Sequence, residues 1–308
     1  MTSAFRSGFV ALVGRPNVGK STLLNQLVGK PVSITADKPQ TTRNRILGVV
    51  HGPAWQAVLM DTPGIHQAEG LLNQRMVAYA VAALKEADLI VMLVEPFAGR
   101  YTRPGPQDEA VLALVSAAPA PALLLVNKVD AHPRPRVEET LAWYNDFSRN
   151  HPGGGRFSGV YPLSALEGLG VDPLKEVMAG FLPEGPPYFD PDQTTDQNEP
   201  VLIAEMIRQE LFRRTRKEVP YSTAVRVEKI EDDGKLMRIY AVILVERDSQ
   251  KPIVIGKGGL LLKEIGRGAR LKLEALFGAK IYLDLHVKVL KGWSESPREL
   301  TRLGYHKE

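Results

Sequence analysis

The sequence predicts an α/β domain with a mostly parallel sheet, followed by a smaller α+β domain. Three observations carry that reading. Short continuous apolar runs, such as Leu89 to Val94 and Ala122 to Val126, alternate with helical segments, as strands covered on both faces do. From Pro183 to Pro200 that pattern is broken by five prolines among acidic and small polar residues. Beyond it the period becomes that of half-buried strands. The expected division is residues 1–182, a linker over 183–199, and a second domain over 200–308. A length of 308 residues fits two ordinary domains.

In chain order, Phe9 to Val13 is the first strand and Thr22 to Leu27 reads as the first helix. Between them stands Gly14-Arg15-Pro16-Asn17-Val18-Gly19-Lys20-Ser21. Strand, glycine-bearing turn and helix N-terminus are the order of a phosphate-binding loop. Gly14 and Gly19 let successive amides point at one anion, and the helix dipole sits beneath it. Lys20 is placed to reach the β- and γ-phosphates, and Ser21 offers a hydroxyl to Mg²⁺, with Thr22 opening the helix behind them.

Arg45 to Val50 and Trp55 to Met60 follow as strands, and Leu71 to Leu84 as a helix with Leu72, Met76, Tyr79, Ala80 and Ala83 at helical spacing. Val137 to Phe147 predicts another helix, Gly159 to Leu163 the last strand of this sheet, and Pro173 to Phe181 its closing helix. Past the linker, Val201 to Arg214 reads as an amphipathic helix with Leu202, Met206, Ile207 and Leu211 on one side. Thr223 to Ile230 and Leu236 to Glu246 alternate as two strands about the turn Asp232-Asp233-Gly234. Ile253 to Ile255 leads into Gly256-Lys257-Gly258-Gly259, then a helix with Leu262, Ile265, Ala269, Leu273 and Leu276 on one stripe. Ile281 to Leu290 closes the chain's pattern as a strand.

Composition narrows the class. Hydrophobic content of 44% with 24% charged residues is that of a globular protein. No run approaches a bilayer span, and Met1 to Gly8 is too short and polar for a signal peptide, so a cytosolic location is expected. The absence of cysteine excludes disulfides and thiolate metal sites. The net charge of +4 is unevenly placed: Lys251 to Lys291 holds nine basic and three acidic residues. A polyanion would dock on that segment.

Three further motifs stand at strand ends. Asp61-Thr62-Pro63-Gly64 places a carboxylate where it can hold Mg²⁺ and the Gly64 amide where it faces the γ-phosphate. Asn127-Lys128-Val129-Asp130 follows a strand, and there residue type selects a base. A fixed carboxylate at Asp130 accepts from both the N1–H and the exocyclic amine of guanine, whereas adenine presents an acceptor at N1. The Lys128 stem is placed to cover the base, and Asn127 to brace the loop. Ser164-Ala165-Leu166 follows the next strand, with the Ala165 amide expected at the guanine O6.

These four stretches resemble the ordered motifs of a translation-factor-type GTPase domain, spanning Gly8 to Leu182. On that resemblance Gln40-Thr41-Thr42-Arg43 is the first switch, and Thr42, with Thr41 as the alternative, joins the shell of Mg²⁺ and γ-phosphate. Leu166 stands where many relatives carry lysine. Ile65 stands where Ras-type GTPases carry a glutamine that orients the attacking water. Arg43, Arg45 and His66 are candidate helpers, each otherwise read as a solvated switch residue.

Gly256-Lys257-Gly258-Gly259 fits the GXXG loop of a KH domain, which clamps single-stranded nucleotides, with Lys263 and Arg267 supplying charge beside it. The helix-strand-strand-helix-helix-strand order, the type II arrangement, agrees. A GTPase domain, a proline-broken linker and a C-terminal KH domain resemble the Era family of bacterial GTPases over nearly the full length. Pro39-Gln40-Thr41-Thr42-Arg43, Glu246-Arg247 and Gly292-Trp293 carry the same likeness. The resemblance implies GTP hydrolysed to GDP with Mg²⁺, and because Ile65 offers no polar group to orient water, hydrolysis without a partner is expected to be slow. It also implies a role in maturing the small ribosomal subunit, with the 3′ end of 16S ribosomal RNA held by the KH domain. A monomer is expected, with peripheral association at the inner face of the membrane. An RNA-binding assembly factor that uses nucleotide as a structural ligand is the alternative; a P-loop kinase is disfavoured by Asn127 to Asp130.

Overall fold

The computed structural model describes residues 4–36, 38, 40–65, 69–99 and 101–307. Its larger sheet is built from β1 (Arg6–Val13), β2 (Ile46–His51), β3 (Trp55–Asp61), β4 (Leu89–Val94), β5 (Ala122–Val126) and β6 (Phe157–Pro162). They lie in the order β2-β3-β1-β4-β5-β6. The edge strand β2 is antiparallel to β3, and the other neighbours are parallel. Strand side chains alternate between two covered faces, which is why these runs are apolar throughout. In β1, Val10 and Leu12 join one core with Leu23 and Leu27 of α1 (Lys20–Val28) and Leu174 and Met178 of α5 (Val171–Ala179). Ala11 and Val13 join the other. That second core takes Ala80 and Leu84 from α2 (Leu71–Glu86), Val111 and Val115 from α3 (Pro106–Ala117), and Tyr144 from α4 (Arg134–Asn150).

The smaller sheet, β7-β8-β9, contains β7 (Thr223–Asp232), β8 (Met237–Val245) and β9 (Ile281–Val289). The β7–β8 pair is antiparallel and the β8–β9 pair parallel. Packed on it are α6 (Glu199–Arg214), α7 (Gln250–Ile255) and α8 (Leu260–Phe277), and the chain closes with α9 (Pro297–Arg302). Ile265, Ala269 and Leu273 of α8 are buried in this core, as their stripe predicted. On α6 the core-facing residue is Ile203 rather than Leu202, together with Met206, Ile207 and Leu211.

Element bounds shift modestly. β1 begins three residues before Phe9, because Arg6, Ser7 and Gly8 pair with Trp55, Gln56 and Ala57 despite their polarity. The 183–198 stretch carries neither helix nor strand, yet it is tied down. The buried Gln56 accepts from the amides of Tyr188 (2.7 Å) and Phe189 (3.0 Å) and donates to the Phe189 carbonyl (2.8 Å). Isolated bridges join Arg6 to Glu184 and Gly48 to Thr195. The proline-rich segment therefore runs as a strap along the larger sheet.

Among the described residues no helix is long and apolar enough to cross a membrane. The parallel strands bring the turns after β1, β3, β4, β5 and β6 to one edge of the sheet, where open α/β sheets bind ligands.

Candidate nucleotide and RNA sites

That edge carries a cleft of about 670 Å³. One end of it is the 14–21 loop. Gly19 sits at φ 105°, a left-handed conformation, and a Cβ there would lie 2.3 Å from Asn127 Nδ2, so the position admits only glycine. Lys20 is buried, and its Nζ donates to the carbonyls of Gly14 and Arg15, both at 3.1 Å. Burial pushes its ammonium down to about 8; Asp61 opposes that shift and Arg15 adds to it. A cation so placed gains from an anionic ligand.

Next to it, Asp61 is fully buried at the end of β3. Its Oδ2 accepts from Ser21 Oγ (2.6 Å), Ser33 Oγ (2.8 Å) and Thr42 Oγ1 (3.3 Å). Its Oδ1 is buried with no hydrogen-bond partner. Burial raises the Asp61 carboxyl above the usual range, against Lys20 and the three hydroxyls. Hard oxygen donors around an unsatisfied carboxylate oxygen suit Mg²⁺. Of the two threonines considered, Thr42 stands here, 2.8 Å from Ser21 Oγ, while Thr41 donates to the Lys38 carbonyl at 2.6 Å.

The turn after Asp61 is held against the phosphate loop. Thr62 Oγ1 donates to Leu12 O (2.8 Å), and a Cβ on Gly64 would lie 2.7 Å from Pro16 Cα. Ile65 is buried in the second core and presents no polar group. Arg43 departs from expectation: it is not a solvated switch residue but is buried against the smaller domain, because three carbonyls there accept its guanidinium. Arg45 pairs with Glu86, and His66 lies outside the described residues.

At the other end, Asn127 Nδ2 donates to Val18 O at 2.8 Å, and its Oδ1 accepts the Ala165 amide at 2.9 Å. Asn127 thus braces three loops at once. The Ala165 amide, expected at the guanine O6, donates to Asn127 at this end of the cleft. Lys128 Nζ donates to Asn17 O (2.8 Å), and Asp130 and Leu166 are exposed along the cleft wall. Val18 and Ser164 are buried, with the Ser164 hydroxyl accepting from the Glu167 amide at 3.1 Å.

Two acids were missed by sequence reasoning, and so was Ser33. Glu95, directly after β4, binds Arg15 (2.6 Å) and Lys128 (2.5 Å), tying the phosphate loop to the base loop. Burial works against it, but the Lys128 bond and the Arg15 charge hold its carboxyl below the usual range. Asp108 approaches Arg15 at 3.4 Å. The strand-end position of Glu95, like those of Asp61 and Asn127, was the signal available. Nothing local marks Ser33.

In the smaller domain, Gly256, Gly258 and Gly259 all have positive φ (75°, 59° and 80°) between α7 and α8. A Cβ on Gly258 or Gly259 would meet nothing within 4 Å. The glycines serve the backbone path and leave it open. Lys257, Lys263 and Arg267 are exposed beside this turn and form no ion pair among the described residues. Lys272 instead turns inward to Glu210.

A family model described as a 50S ribosome-binding GTPase matches residues 9–128, and a KH-domain model matches residues 218–294. GTPase Era of Geobacter metallireducens is 49% identical over 303 residues, covering 98% of each chain. The chain belongs to the Era family of GTPases. A crystal structure of Era in complex with MgGDPNP and nucleotides 1506–1542 of 16S ribosomal RNA superposes with a TM-score of 0.90 at 37% identity, covering 98% of this chain and 99% of that one. An Aquifex aeolicus Era variant bound to GDP·AlF4⁻ gives the same score at 38% identity, covering 98% and 100%. The two-sheet architecture is therefore that of the Era family along its whole length.

Proposed function

We propose that this chain binds and hydrolyses GTP and holds the 3′ end of 16S ribosomal RNA, acting in maturation of the small ribosomal subunit. The observation that carries the nucleotide half is the joining of two chemistries in one cleft: Asn127, Lys128 and Glu95 fasten the base-reading loop to the phosphate loop. In this reading the 14–22 segment cradles the phosphates, Lys20 reaches the β- and γ-phosphates, and the Asp61–Gly64 turn faces the γ-phosphate. Asp130 reads guanine, with Lys128 and Leu166 against the base plane. Ser21, Thr42 and Asp61 would hold Mg²⁺, which when bound spreads the charge on the phosphate oxygens. Gly256 to Gly259, Lys263 and Arg267 would hold the RNA backbone.

Nucleotide state orders the Thr42 segment and the turn after Asp61, and the clamp follows that state. The protein acts as a monomer, and the basic segment of its KH half supports peripheral contact with anionic membrane lipids. Base choice tests the assignment. Asp130→Asn should weaken GTP binding and improve that of xanthosine triphosphate, because an amide donates to the xanthine O2 where a carboxylate repels it. Equal binding of ATP and GTP by the parent protein would sink the assignment.

A further inference from the structure

The segment that carries Thr42 is held from the other half of the molecule. On one side, the Arg43 guanidinium, 1% exposed, donates to the carbonyls of Thr223 (2.7 Å), Tyr221 (2.8 Å) and Pro220 (3.2 Å) at the entrance to β7. It lies 5.7 Å from the Phe212 ring and 5.8 Å from the Trp293 ring. On the other side, Arg208 of α6, also 1% exposed, donates to the Thr41 carbonyl and is oriented by Glu205 at 2.8 Å. Its guanidinium lies 5.1 Å from the same Phe212 ring. Gln209 adds a bond to the Thr35 carbonyl at 2.7 Å.

Thr42 therefore sits between two fixed neighbours while its hydroxyl rests on Ser21 and Asp61. Domain adhesion alone does not need arginine at these points, since apolar side chains would bury the same area. A planar guanidinium, seated by two nitrogens on carbonyls in Arg43 and by one edge on the Glu205 carboxylate with a reach to the Thr41 carbonyl in Arg208, fixes direction as well as contact. We propose that Arg43 and Arg208 are positioning residues, through which the RNA-binding half sets whether the Thr42 hydroxyl stands at Asp61. This rests on the reading that Thr42 belongs to the Mg²⁺ and γ-phosphate shell. Coupling of this kind is reciprocal: whatever RNA does to GTP binding, GTP does to RNA binding.

The experiment titrates single-stranded RNA of the 16S 3′ end against the full chain loaded with GDP or with a non-hydrolysable GTP analogue and Mg²⁺. In the parent the two affinities should differ by about fivefold or more. Arg43→Lys and Arg208→Lys keep the charge but lose the fork, so the ratio should fall to within about twofold of one. The Mg²⁺ concentration needed for half-maximal analogue binding should rise several-fold, while GDP affinity stays within about twofold. A purely structural role would leave the ratio and the Mg²⁺ requirement at parental values in folded variants, and that result would overturn the inference. Phe212→Leu, which removes the ring between the guanidinia, carries the same expectation should a lysine variant fail to fold by circular dichroism. Thr42→Ala separates the two levels. If it too keeps the parental ratio, the reading of Thr42 fails; if it abolishes the ratio while the other variants keep it, only the positioning role fails.

Discussion

Arg15 stands in the phosphate loop, yet its acidic partners come from elsewhere: Glu95 after β4 and Asp108 in the first turn of α3. Asp108 has the harder position. Burial pushes its carboxyl up to about 6, the Arg15 charge opposes that, and the charge of Glu95 adds to it. A carboxyl raised in the folded state favours folding while protonated, and that contribution is lost as pH rises through the folded value. The window runs from the ordinary aspartate range near 4 to about 6. Asp108→Asn should therefore remove a fall in stability of about 2 to 3 kcal/mol across that window. Denaturant unfolding of both proteins at pH 4.5 and pH 7 checks it, and parallel pH dependences would refute it. No part of this was legible in the sequence. Asp108 and Arg15 are far apart in the chain, and an acid in the first turn of a helix ordinarily needs no further explanation.

Among the elements, the turn into α8 is built on three glycines with positive φ. In the proposed clamp, basic residues beside it would attract any nucleic acid, an attraction that fades steeply with salt, whereas the open glycine backbone would select a single strand held close. Since a Cβ on Gly258 meets nothing within 4 Å of the protein, what it meets is whatever the turn binds. Gly258→Asp should keep the fold and GTP binding but lose high-affinity binding of the 16S 3′-end RNA. Titration at two salt concentrations, with circular dichroism as control, tests this; undiminished binding by the folded variant would remove the clamp from Gly256 to Gly259. The helix after this turn was readable because only one stripe of it is buried. The faces of α6 were not, since Arg208, Gln209 and Glu210 are buried as well. That helix lies between α8 and the Thr35–Thr42 segment, so burial on two sides erases the contrast that periodicity detects. The strap over 183–198 was hidden for another reason. Its anchors, Gln56 with Ser7 and the Arg6 and Gly48 bridges, lie in strands far away in sequence.

At the scale of the molecule, the two halves each have a legible core, while what joins them was written in residues that look ordinary one at a time. Arg43 reads as a solvated switch residue, and Arg208 and Glu295 stand in no motif; the structure buries the two arginines, and Glu295 accepts the Leu71 amide that starts α2 at 3.1 Å. With Arg43 held by carbonyls and Ile65 buried, neither side chain is placed to orient the attacking water. Hydrolysis by the protein alone should then fall within about two decades of 10⁻⁴ s⁻¹, and turnover near 10 s⁻¹ without a partner would contradict that. The joint itself is testable through Trp293. It is fully buried among Leu72 and Met76 of α2, Val242 and Leu244 of β8, and Leu300 and Tyr305 of the C-terminal segment. Its Nε1 donates to Ser222 O at 3.3 Å. Truncating so large a buried side chain costs about 3 to 5 kcal/mol, and here the loss falls on a cluster shared by both halves rather than within either core. Trp293→Ala should lower the melting temperature and, because it loosens a cluster to which both halves contribute, split calorimetric unfolding into two transitions. A single transition with a loss under about 1 kcal/mol would show that the shared cluster does not couple the halves.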